Sequence, residues 1–312
     1  MENLILSFNV VLPLCLCIGL GYFLYRINMI DSATHKSMNR LVFRVFLPVY
    51  IFSNIYSTDL AKAFDLRLIG LSVIGLLVIF AAAMVIVPRA EADNAKRGVM
   101  VQAIFRSNFV LFGVPIIAAL CGEENLAPTT LLIGIVVPVL NVLAVVCLEF
   151  FRGGKPNAKK ILKGIAVNPL IIASLLGVAF NLLGIAVPAS INKSITDIGK
   201  IATPLSLVVL GAGFRFKAIG GYVRQIAICL SGKLILSPLL ALTAGVLLGL
   251  RNEMLVPVLA VFGSPVAVSS YTMAEQMDGD GNLAALLVVL SVVCSIVTMF
   301  LLIFAVKQLG LA

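Results

Sequence analysis

Apolar residues run along this chain in long unbroken stretches, at roughly 4–25, 37–57, 66–88, 98–121, 126–151, 164–184, 194–213, 222–249, 254–276 and 283–306. About 20 consecutive apolar residues cross a bilayer as a helix, whereas a barrel strand needs about ten of alternating polarity. The stretches are long and do not alternate. The pattern therefore predicts an all-α polytopic membrane protein with ten transmembrane helices, joined by short loops that leave no room for a soluble domain.

Composition agrees. Of the 312 residues 61% are hydrophobic and 12% charged, with a mean hydropathy of +1.13, against about 25% charged in an ordinary soluble chain. Lipid takes the place of water around most of such a surface. The N-terminus, MENLILSFNV, has an acid where a secretory signal is basic and lacks a small-residue cleavage site, so the first helix is expected to remain.

The chain also pairs with itself. A shift of 156 residues aligns Val11 with Val167, Pro13 with Pro169, Leu14 with Leu170, Leu20 with Leu176, Gly21 with Gly177 and Pro48 with Pro204. That shift is half the length, each half holds five stretches, and the charged linker FRGGKPNAKK sits at the join. The reading is a duplication, 1–156 and 157–312. Five is odd, so the second repeat enters the membrane from the opposite side, an inverted arrangement common in secondary transporters.

Within the fourth and ninth stretches the apolar pattern fails at matched places. FRSNFVLFGVP (105–115) carries Gly113 and Pro115, and FGSPVAVSSY (262–271) carries Gly263 and Pro265. Proline removes a backbone donor and clashes with the preceding turn, and lipid cannot satisfy the groups so freed. A lone proline reads as a kink, but two at equivalent positions of inverted halves point to broken helices around a site.

Polar residues gather at the same depth. Arg106 lies nine residues beyond Arg97 and Lys233 nine beyond Arg224, roughly 13–14 Å into a core about 30 Å thick. Ser264 lies eleven residues beyond Glu253 and Asn141 eleven before Arg152, roughly 16 Å deep. A cation there costs at least about 2.5–3.5 kcal/mol without a partner. It could pair with Glu149 or Glu275, or snorkel to the surface, but those acids lie near the ends of their spans. The alternative is a negative partner drawn from solution. Half-helix N-termini beginning near Pro115 and Pro265 would add positive dipole ends. Gln102, Asn108, Ser264, Ser269, Ser270 and Tyr271 supply neutral donors nearby. Together with Arg106, Lys233 and Asn141 they make a candidate anion site, best matched to a carboxylate.

The net charge of +9 could point to nucleic acid, but its distribution argues against that. With the N-terminus outside, 14 Lys and Arg fall on cytoplasmic loops and six on the opposite side and C-terminus, with Arg44, Arg106 and Lys233 inside spans. The positive-inside rule then places both termini outside a cytoplasmic membrane. Six cysteines (Cys15, Cys17, Cys121, Cys147, Cys229 and Cys294) form no C-x-x-C pair, and His35 is the only histidine. No cofactor, haem, zinc site or disulfide framework is expected. DGDGN (278–282) lacks the glycine and closing glutamate of a calcium loop and reads as a turn. GGKP (153–156) is too short for a phosphate loop. No nucleophile, base or carboxylate pair appears, so an enzyme is not expected.

LVFRVFLPVYIFSNI (41–55), FRSNFVLFGVPIIAAL (105–120), NPLIIASLLG (168–177), TPLSLVVLGAGF (203–214), GKLILSPLL (232–240) and FGSPVAVSSYTMA (262–274) occur in this order from end to end. As a set they resemble the auxin efflux carrier family of the bile-acid/arsenite-type transporter superfamily. The resemblance implies fourth and ninth helices that cross at Pro115 and Pro265. It implies a scaffold of helices 1, 2, 6 and 7, often dimeric, and a mobile domain of helices 3–5 and 8–10. It further implies elevator-type alternating access and organic-anion substrates, malate or malonate in bacterial relatives and auxin in plants. The linker of about ten residues is unlike the long central loop of many plant carriers and looks bacterial. The expected function is secondary transport of a small carboxylate, alone or with protons, by a homodimer in the lipid bilayer. Sodium coupling of the bile-acid type and an anion channel stay open as alternatives.

Overall fold

The computed structural model describes residues 2–58, 65–122, 126–153 and 158–311. Positions 154–157, most of GGKP, and the loop that carries Lys62 lie outside them. Fifteen α-helices and no strand occur among the described residues. Seven runs are long and apolar enough to cross a membrane, and Pro169–Leu182 and Asn252–Gly263 are shorter apolar helices.

Five of the ten predicted stretches coincide with single helices. They correspond to α1 (Glu2–Arg26), α4 (Leu66–Ala90), α7 (Ala127–Phe151), α10 (Ala189–Gly213) and α15 (Gly281–Gln308). The others are built from pieces. Stretch 37–57 comprises the end of α2 (Ser32–Leu41), a π turn (Val42–Phe46) and α3 (Leu47–Tyr56). Stretch 98–121 comprises α5 (Asn94–Phe105), a π turn (Phe109–Gly113) and α6 (Val114–Cys121). Stretch 164–184 spans the end of α8 (Ala158–Ala166) and α9 (Pro169–Leu182). Stretch 222–249 joins α11 (Val223–Ser231), a π turn (Gly232–Leu236) and α12 (Ser237–Leu247), and stretch 254–276 divides into α13 (Leu255–Gly263) and α14 (Ser269–Gln276).

The three π turns share a cause. Each ends two residues before a proline, at Phe46 before Pro48, Gly113 before Pro115 and Leu236 before Pro238. A proline inside a helix clashes with the carbonyl four residues back and has no N–H to offer it. Widening the turn relieves the clash, and the residue ahead of each proline bonds five residues back: Leu47 to Val42, Val114 to Phe109 and Ser237 to Gly232. Such bulges are frequent at functional sites.

Burial sorts the helices. In the apolar window of Asn94–Ala118, 78% of the residues are buried, against 17% for Leu66–Ala90. α4 therefore turns Ile74, Val78, Val85 and Ile86 outward, as a helix bathed in lipid must. α5 lies inside, packed on α7 and α4, while α13 packs on α12 and α6. α1 packs on α10, and α3 on both α9 and α10. Glycine allows the first of these contacts. A Cβ at Gly21 would stand 2.0 Å from the Val208 carbonyl oxygen, and one at Gly211 2.0 Å from that of Ile18. Backbone contact through small residues is the usual way membrane helices associate, since lipid removes the hydrophobic drive between them.

Polar caps end several helices. The Asp31 carboxylate accepts from the Thr34 amide at 2.7 Å, and Asp280 accepts from the Leu283 amide at 2.9 Å. Asp280 also receives the Tyr222 hydroxyl at 2.8 Å, so DGDGN serves as a turn and a cap.

Two outcomes are expected. Gly211→Val should force α1 and α10 apart and cost about 3 kcal/mol, the upper range for overpacking, read as a lower melting temperature in detergent; an unchanged melt would contradict the close packing. The Thr34 amide holds the Asp31 carboxyl below its usual range, so this cap contributes above the ordinary carboxylate value and is lost as pH falls through the lowered one. Hydrogen exchange at Thr34, corrected for intrinsic rate, should quicken between pH 6 and pH 3, values set about the ordinary range near pH 4.

Candidate functional site

α5 stops at Phe105, residues 106–108 leave the helical path, and the π turn follows from Phe109. In the other half α13 stops at Gly263 and the chain is non-helical or turning until α14 starts at Ser269. The two interruptions meet: the Asn108 N–H donates to the Pro265 carbonyl at 2.9 Å. Ser291 of α15 accepts from the Val266 N–H at 3.1 Å. Backbone groups freed by the breaks are thus joined to each other and to a neighbouring helix, away from lipid.

The positions of the glycines and prolines differ from a simple break at each pair. Gly113 and Pro115 follow residues 106–108 by a π turn, and Pro115 sits in the first turn of α6, where its missing N–H matters least. Gly113 is needed for contact, because a Cβ there would stand 2.6 Å from that of Ala260 on α13. Gly263 ends α13, and Pro265 lies inside the second interruption.

Arg106, at the C-cap of α5, is buried at 3% exposure. Its Nη2 donates to Asn141 Oδ1 at 2.9 Å and to Ser269 Oγ at 2.9 Å, and Nη1 meets the Met273 sulfur. Turning the Gln102 amide so that its carbonyl faces the guanidinium satisfies both ends: the carbonyl accepts from Nη1 at 3.1 Å, and the amide nitrogen donates to the Ser270 carbonyl at 3.2 Å. Every one of these partners is neutral. Glu149, a possible counter-charge from the sequence, pairs with Arg152 at 3.0 Å, and no carboxylate pairs with Arg106 among the described residues.

A cavity of about 70 Å³ opens beside the guanidinium, well above the roughly 10–15 Å³ needed to admit a water. Arg106, Ser107, Asn108, Asn141 and Ser269 form its polar wall, facing Tyr50 and Ile51 of α3 and Thr203 and Ser206 of α10. Ser107 Oγ and Asn108 Nδ2 are buried with no hydrogen-bond partner. Unused donors and an unpaired cation along one wall make a receptor for something anionic and small.

Of the nine residues expected to hold an anion, four line this cavity: Arg106, Asn108, Asn141 and Ser269. Gln102, buried, acts behind Arg106. Ser270 is buried with its hydroxyl unpartnered, outside the lining. Ser264 turns back to the Ala260 carbonyl at 2.6 Å. Tyr271 points to His35, its oxygen 3.0 Å from Nε2, which is itself 3.1 Å from the Val209 carbonyl. A carbonyl only accepts, so Nε2 carries the proton. Lys233 is fully buried, does not line the cavity and donates to the Phe262 carbonyl at 3.3 Å. Spacing from the membrane edge estimates depth but not the direction around a helix axis, and Lys233 and Tyr271 face elsewhere.

Sequence reading passed over Ser107 and Met273, and also Tyr50, Thr203 and Ser206. All five lie in the segments that carry the family likeness. For all but Met273, polarity within apolar runs was the available signal.

A buried, uncompensated cation beside two helix interruptions within a bundle of apolar helices defines a polytopic membrane protein of the transporter class. The profile of the membrane transport protein family matches residues 6–303, and the chain belongs to that family, the auxin efflux carriers. It is 26% identical over 295 residues to an uncharacterized transporter of Methanothermobacter thermautotrophicus, covering 94% of this chain and 96% of that protein. It is 24% identical over 291 residues to the uncharacterized transporter MJ1031 of Methanocaldococcus jannaschii, covering 89% and 91%. The protein is a membrane transporter and not an enzyme.

Because no charge offsets Arg106, Arg106→Met is expected to leave the melting temperature unchanged or raise it. A fall of several degrees would mean that the guanidinium serves the fold, not a ligand.

Proposed function

We propose that this protein is a secondary carrier of a small organic anion, a mono- or dicarboxylate of the size of malonate or malate, working by elevator-type alternating access. The observation that carries the reading is the Arg106 guanidinium, buried among neutral groups at the wall of a small polar cavity. A carboxylate entering there would supply the missing charge and accept from Arg106, Ser107 and Asn108, with Asn141 and Ser269 holding the guanidinium in place. A cavity of about 70 Å³ favours a small anion over a steroid acid.

Ten spans in two inverted repeats are part of this reading. Helix ends support it: α3, α4 and α7 finish at 56, 90 and 151, and α10, α12 and α15 at 213, 247 and 308, a constant offset of 157. So does the division of the cavity wall. One side comes from α3 and α10, which pack on each other and on α1 and α9; the other comes from the two interruptions and α7. In the proposed cycle the first group is the scaffold, and the second moves past it with the anion. The excess of Lys and Arg on one set of loops supports a multi-pass protein in the cytoplasmic membrane with both termini outside.

Proteoliposomes test this. Labelled malonate should show saturable counterflow in the wild type. Arg106→Lys should lower it about 10- to 100-fold, the effect of losing about 1.5–3 kcal/mol of charge-assisted hydrogen bonding. Current without counterflow would establish a channel instead, and full uptake by Arg106→Ala would remove the site.

A further inference from the structure

Lys233 is the least exposed cation described, at 0%, and the anion cavity does not use it. It lies in the π turn between α11 and α12. No carboxylate pairs with it among the described residues, and its hydrogen-bond acceptor is the carbonyl of Phe262, next to the last residue of α13. The last four carbonyls of a helix have no partner within it, and the end carries about half a negative charge. In α13 that end is buried, because every residue from Leu255 to Gly263 is. An ammonium placed there answers a real electrostatic need.

Carriers with interrupted helices meet the same need by binding a free cation, since half-helix C-termini and unwound carbonyls coordinate sodium or protons. Here a side chain fills the place. Among the described residues no group of three or more histidine, cysteine or acidic side chains gathers as a metal site, and the acids within the apolar stretches lie near their ends, so carbonyls such as that of Phe262 are the ligands a free cation would have. The lysine is also particular to one half: the position 157 residues earlier is the buried Leu76 of α4.

We propose that the Lys233 ammonium is a tethered cation standing where such a carrier would otherwise bind a coupling ion, so that this protein's cycle runs without sodium. The transport part of this statement rests on the carrier reading above; the occupancy of the α13 end does not. Lys233 is therefore a positioning residue for the second interruption, holding the turn that carries Pro265 and Ser269, and it does not touch the substrate.

The test uses the full-length protein in detergent and in liposomes. Replacing sodium by choline at constant ionic strength should leave the wild type's melting temperature and malonate counterflow unchanged. A sodium-dependent rise in either would overturn the proposal without any variant. Lys233→Ala should lower the melting temperature by about 3–6 °C, and methylammonium or sodium chloride, but not choline chloride, should restore part of it. Lys233→Met, which fills the volume without charge, should be destabilised and not restored. A Met variant as stable as the wild type, or an Ala variant indifferent to methylammonium and sodium alike, would refute a tethered cation. If wild-type protein carried no carboxylate at all, the proposed function would fail, while the melting experiments would still decide the role of Lys233.

Discussion

A backbone that leaves the helical path inside a membrane frees amide and carbonyl groups, and hydrocarbon offers them nothing. Much of this molecule's arrangement answers that constraint. The Asn108 amide is satisfied by the Pro265 carbonyl across the two interruptions, and Ser291 on α15 takes the Val266 amide. For those bonds to form, α5 and α13 must lie inside the bundle with α15 beside them, and the lipid-facing positions fall to helices such as α4. Of the seven membrane-crossing runs, the one that carries the first interruption is the most buried and α4 the least.

Charge follows the same geometry. Each interrupted segment has one cation at the carboxyl end of its leading helix: Arg106 caps α5, and Lys233 reaches the end of α13 from α11–α12. Their surroundings separate their roles. Arg106 holds only neutral partners and borders a cavity, so its charge has no answer within the protein. Lys233 meets a helix end, so its charge has one. On the proposed reading the first cation meets the cargo and the second keeps the turn in shape.

Proline and glycine carry out the construction. Pro48, Pro115 and Pro238 each widen the preceding turn. Gly21 and Gly211 let α1 and α10 touch through their backbones, and Gly113 lets the turn after the first interruption rest on Ala260. A side chain at Gly21 or Gly211 would push α1 off α10, and one at Gly113 would push off α13 the turn that, like α10, lines the cavity.

The sequence by itself determined that this is a helical membrane protein, where its apolar stretches lie, and that Arg106 and Lys233 sit deep in their spans. Hydrophobic length and helical rise are local quantities, and they read directly from residue order. The family likeness was legible for the same reason, since its motifs are contiguous. Only the tertiary structure decided which polar side chains share a cavity. Tyr50, Ser107 and Thr203 come together from three segments, while Lys233, Tyr271 and Ser264 turn away to carbonyls and a histidine. A side chain's direction depends on how its helix is rotated against its neighbours, and that rotation is set by contacts between residues far apart in the chain.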